Sequence, residues 1–132
     1  MTLTYSRRLA LVGGLAIPLV EAWRRWAEWD QVRQWPFILD DFIAGGLLVV
    51  GALMARRAPR TARPVLAAAW GVACGMMYYS FFGQLVALGK ADPSGAPSSV
   101  VVVFKGALLA GCISGLIGAL RSPQCPPDSS SS

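Results

Sequence analysis

Long apolar runs separated by short charged stretches decide most of what this chain can become. Four runs are long enough to span a bilayer, at about residues 9–26, 37–55, 64–88 and 99–120. Crossing a hydrocarbon core as a helix takes roughly 20 residues at about 1.5 Å each. A backbone in that core must satisfy its own hydrogen bonds, which a helix does within one segment. The pattern predicts an all-α integral membrane protein with four transmembrane helices in an antiparallel bundle. Residues 1–121 form its single domain, and the Pro- and Ser-rich stretch 122–132 is expected to be a disordered tail.

Composition supports the same reading. Of 132 residues, 55% are hydrophobic and 14% charged, against about 25% charged in soluble domains. The net charge of +5 would prompt thoughts of nucleic acid in a soluble protein. Here the basic residues sit at the ends of apolar runs, so topology explains them and no nucleic-acid partner is expected. The first run follows Arg7 and Arg8 and resembles the start of a secretion signal. No small-residue cleavage site follows it, so it reads as a retained first helix. Pro18 should kink that helix or free a backbone carbonyl within it.

The connections set an orientation. Arg56, Arg57, Arg60 and Arg63 lie between the second and third runs, with Arg7, Arg8 and Arg121 at the same side. The other side has Arg24, Arg25, Arg33 and Lys90, offset by Glu28, Asp30 and Asp92. Seven basic residues against four place both termini in the cytoplasm of a bacterial-type inner membrane by the positive-inside rule.

Two sets of residues are candidates for contact with partners. Trp23, Trp26, Trp29 and Trp35 surround the first outer connection among charges of both signs. They fit an aromatic belt, or a docking surface for another subunit. Small residues recur every four positions in the third run (Ala67, Gly71, Gly75) and the fourth (Ala107, Gly111, Gly115, Ala119), and less regularly in the second (Gly45, Gly46, Gly51). Such strips let helices approach closely in lipid, within one chain, between copies, or against other membrane subunits.

Depth counted along the helices brings out a polar layer. Glu21, Asp40, Asp41, Gln84 and Lys105 all fall about 5–9 Å below the outer boundary at 1.5 Å per residue. Tyr78, Tyr79 and Ser80 lie about one turn deeper. Charges at such depth usually face the bundle interior or a wet cavity, so Lys105 is expected to pair with Asp40, Asp41 or Glu21. The layer is a candidate ligand site, or else a set of helix-start and snorkelling residues.

Catalytic chemistry finds little purchase. The chain has no histidine, which removes the commonest proton shuttle and metal ligand. Cys74, Cys112 and Cys125 have no metal-site spacing, and no nucleophile–base pair or phosphate loop is present. The expectation is a non-enzymatic protein without metal or cofactor: an accessory or structural subunit of a membrane complex. The alternative is a small proton- or cation-coupled transporter built on the outer acidic residues.

Overall fold

The computed structural model describes residues 2–24, 35–89 and 95–121. It contains four helices: α1 (Leu3–Arg24), α2 (Trp35–Arg57), α3 (Pro59–Val86) and α4 (Ser98–Leu120). No strand occurs among the described residues. The helices correspond to the four apolar runs: α1 and α3 begin several residues earlier than expected, α2 is longer at both ends, and α4 gains only Ser98.

The largest differences from expectation lie at the arginine-rich end. The first run is expected from residue 9, yet α1 begins at Leu3 and includes Arg7 and Arg8. Its first turns pack inward, with Ser6 fully buried. The arginine connection expected between the second and third runs shrinks to Ala58. Arg56 and Arg57 close α2, where cations suit the negative end of the helix dipole. Pro59 opens α3 at a position where its missing N–H costs no helical hydrogen bond. Pro18 is accommodated inside α1, against Gly45 of α2.

The helices form a closed ring in chain order: α1 packs on α2, α2 on α3, α3 on α4, and α4 back on α1. Of these seams, α1–α4 is the least extensively packed. Neighbours run antiparallel. Trp70 meets Gly115 and Phe81 meets Gly106, so α3 ascends as α4 descends. This topology collects Arg7, Arg8, Arg56, Arg57, Arg63 and Arg121 at one end. The acidic residues described, Glu21, Asp40 and Asp41, lie toward the opposite end.

Side-chain size is distributed unusually. The buried core is mostly alanine: Ala10, Ala44, Ala52, Ala55, Ala62, Ala69, Ala73 and Ala119. Leu48, Leu66 and Trp70 are its largest fully buried apolar side chains. Bulkier residues face outward on every helix, including Leu15 and Leu19 on α1, Phe42 and Leu53 on α2, Val72 and Tyr79 on α3, and Val103 on α4. Among the described residues, two helical segments are long and apolar enough to cross a membrane, Thr61–Val86 and Ser98–Leu120, with mean hydropathies of 1.5 and 2.2. α1 and α2 carry more charge, from Arg7, Arg8 and Glu21 on one and Asp40, Asp41, Arg56 and Arg57 on the other.

Small residues explain how closely the first two helices approach. A Cβ on Gly14 would lie 2.7 Å from the Gly45 carbonyl oxygen and 2.9 Å from Val49. A Cβ on Gly45 would in turn collide with the Gly14 carbonyl oxygen. The α1–α2 crossing is therefore a backbone contact that no larger residue at either position would permit.

Candidate functional site

The polar residues expected in one layer divide into two groups. Lys105 on α4 is only 9% exposed. Its Nζ donates to the Ser80 carbonyl oxygen and to Gln84 Oε1, each at 3.5 Å, the outer limit for such a bond. Both acceptors come from α3. Glu21 of α1 and Ser80 line the same cleft as Lys105. Asp40 and Asp41 do not: they sit on α2, the first exposed and the second half-buried. Glu21, Asp41, Gln84 and Lys105 all have interaction partners. The cleft thus gathers Glu21 and Lys105 with Ser80, Gln84 joins them through Lys105, and the aspartate pair is not part of its lining.

The helical repeat explains this grouping. Lys105 lies one helical turn from Val101, which is also buried, and seven residues from buried Cys112. That spacing puts it on the inward stripe of α4. On α3, Ser80 and Gln84 share a face four residues apart. Below this polar rim the cleft is apolar, walled by Ala16, Ile17, Met77 and Leu108. Val20, Val101 and Phe104 complete its upper part. The cavity measures about 70 Å³ and is partly open. Its opening follows the α1–α4 seam, where Ala16, Val20 and Phe104 are exposed. Lys105 and Glu21 carry opposite formal charges, so the lining has no net charge. Such a site can hold a hydrogen-bonding group above an apolar chain. It offers no activated nucleophile. Tyr78 and Tyr79 point away, being 58% and 79% exposed. Tyr78 stacks on Phe82 with ring centroids 4.5 Å apart.

The partner-contact residues are also separated. Trp23 is 80% exposed at the end of α1. Trp26, Trp29 and the side chain of Trp35 lie outside the described residues. Gly115 is filled from within: a Cβ there would collide with the Trp70 indole. A Cβ added at Gly111 would meet nothing within 4 Å, and the same holds for Gly71 and Gly75 of α3. The α4 strip is therefore divided between the chain's own core and its surface, while the glycines of the α3 strip face outward. Cys74 and Cys112 are free thiols within α3 and α4, and no metal-binding cluster occurs among the described residues.

A second polar centre, toward the arginine-rich end, was not anticipated from sequence. Ser6 Oγ donates to the Gly115 carbonyl oxygen at 2.7 Å. It accepts from Trp70 Nε1 at 2.9 Å. One hydroxyl thereby ties α1, α3 and α4 together, all of it buried. Tyr5 and Ser114 add a hydroxyl–hydroxyl bond at 3.1 Å, and Ser114 donates to the Gly111 carbonyl oxygen at 2.8 Å. Arg63 donates across the end of the bundle to the Arg121 carbonyl oxygen. The available sequence signal was Trp70, a tryptophan in mid-run rather than at its ends, whose N–H needs an acceptor when buried.

No protein-family model matches the chain, and neither the curated proteins nor the solved structures contain a match.

Proposed function

We propose that this chain is a multi-pass membrane protein. All four helices cross a bacterial-type inner membrane, both termini are cytoplasmic, and the chain serves as a non-enzymatic accessory subunit of a membrane complex. The observation that carries the reading is the inverted size order of the bundle. Alanine and glycine fill the interior, while leucine, valine, isoleucine and phenylalanine cover the outside. In water such an exterior is a liability. In lipid it costs nothing, and close packing through small residues is how helices associate. The segregated arginines agree with a cytoplasmic arginine end. The accessory role is supported by the outward-facing Gly71, Gly75 and Gly111, and by exposed Trp23.

Extraction in mild detergent, followed by native electrophoresis and mass spectrometry of co-migrating polypeptides, tests this reading. Migration with defined partner chains is expected. Recovery only as a free monomer would count against the accessory role, and recovery in the aqueous fraction against membrane insertion.

A second reading rests on Glu21 beside Lys105 in the cleft: a small proton- or cation-coupled carrier. Glu21→Gln in liposomes loaded with a pH-sensitive dye discriminates, since unchanged proton flux relative to the parent chain would remove it.

A further inference from the structure

The Lys105 cleft has a polarity gradient. Glu21, Ser80 and Lys105 lie at its outer end, and Ala16, Ile17, Met77 and Leu108 lie below them. In the membrane reading above, on which this inference rests, the gradient runs parallel to that of the adjoining leaflet. The cleft is also accessible from the side, through the exposed residues Ala16, Val20 and Phe104 of the sparsely packed α1–α4 seam.

Size and charge restrict the occupant. The cavity of about 70 Å³ is less than half of the ~150 Å³ that encloses a benzene ring; because it is partly open, it admits a few methylenes of a chain that continues outside it, and not an enclosed ring. The opposed charges of Glu21 and Lys105 leave no net attraction for a free carboxylate or a phosphate. They suit a neutral hydrogen-bonding group.

We propose that this cleft holds the upper stretch of one acyl chain of a glycerolipid from the leaflet nearer Glu21, with the lipid's ester carbonyl seated at the Ser80–Lys105 rim and the rest of the chain running along the α1–α4 seam. The site is a lateral lipid-binding groove distinct from the general lipid contact around the bundle. A bound chain would fill the gap between α1 and α4 that the protein's own side chains leave open.

Photolabelling tests the proposal. The full chain is reconstituted in phosphatidylethanolamine vesicles containing a trace of phosphatidylcholine with a diazirine on one acyl chain. After illumination, labelled residues are mapped by mass spectrometry. Labelling of Ala16, Val20, Phe104 and Leu108 is expected to exceed that of Val50 and Leu53 on α2 several-fold, although Val50 and Leu53 are themselves 51% and 48% exposed. Ala16→Phe, which fills the mouth of the cleft, should lower the cleft labelling to the α2 level and leave α2 unchanged. Leu108→Phe provides an independent filling variant should the first not fold.

Equal labelling of cleft and α2 residues in the parent chain would overturn the proposal. So would cleft labelling that survives filling in a folded variant. Displacement of the label by a short-chain quinone but not by unlabelled phosphatidylcholine would overturn it in favour of a ring-headed ligand. Absence of labelling on α2 as well would instead remove the membrane reading, so the two failures are distinguishable.

Discussion

The two halves of the bundle are built differently. Toward the arginine-rich end, helices touch through backbone and through short, buried hydrogen bonds. Ser6, Trp70 and Gly115 form a three-helix tie with distances of 2.7 and 2.9 Å. Toward the other end, Lys105 makes bonds of 3.5 Å, and a cavity separates α1 from α4. The tight half uses one hydroxyl between a carbonyl and an indole. The loose half uses a buried ammonium held at long range by a carbonyl and an amide oxygen, and its desolvation offsets much of what those bonds contribute. A polar group inside a bundle thus locks it only when its few hydrogen-bonding positions are all matched at short range.

The comparison predicts unequal sensitivity to mutation. The largest effect belongs to Gly115→Leu, whose side chain would occupy the Trp70 ring. Overpacking of this kind costs about 1–3 kcal/mol or more, and here it also displaces the Ser6 tie. The variant should fail to accumulate as a folded bundle, read by the loss of a cooperative transition in denaturant titration. Gly14→Val comes next, because its Cβ would lie 2.7 Å from the Gly45 carbonyl oxygen. Separation of α1 from α2 is the expected outcome, detected as increased cysteine cross-linking distance between the two helices and a lowered melting point.

Ser6→Ala should cost about 1–3 kcal/mol, since it leaves the buried Trp70 N–H without its acceptor. A double-mutant cycle with Trp70→Phe isolates the coupling, and a coupling near zero would show that the tie adds no stability. The paired replacement Lys105→Met with Glu21→Gln should change stability by less than about 1 kcal/mol, because it removes both of the charges that line the cleft and leaves neither there without its opposite. A large loss there would erase the contrast between the halves. Smallest of all, Gly71→Ala and Gly75→Ala should hold or slightly raise the isolated chain's melting point, since nothing lies within 4 Å of either added Cβ and alanine loses less backbone entropy in a helix than glycine. If the chain is a subunit as proposed, their effect should appear instead as a change in its co-migration with partner chains in native electrophoresis.

Much of the architecture was legible in the sequence because run length and helical period are local properties. The four helices follow from them directly. The extent of α1 was not: the expected run starts at residue 9 and leaves Ser6 outside it, yet Ser6 is buried because α3 and α4 present complementary groups to it. Likewise, counting along the helices grouped Glu21, Gln84 and Lys105, of which Glu21 and Lys105 line the cleft and Gln84 accepts from Lys105. Such counting carries no azimuth, and Asp40 and Asp41 of α2 are not among the lining residues. The strip on α4 shows the same limit. Four-residue spacing identifies a flat face, but only the position of Trp70 decides that Gly115 is internal and Gly111 external.

The inverted size order also bears on biogenesis. If the chain is made at a membrane, each segment emerging from the insertion machinery presents large apolar side chains to lipid whether or not its neighbours have arrived. Insertion of one segment then need not wait for the others. Association becomes a later event, governed by shape: alanine and glycine faces find each other only after the segments are in place. Quality control of such a chain would monitor the second event. A variant like Gly14→Val would be expected to insert normally, stall as separate helices, and be cleared from the membrane rather than from the cytoplasm.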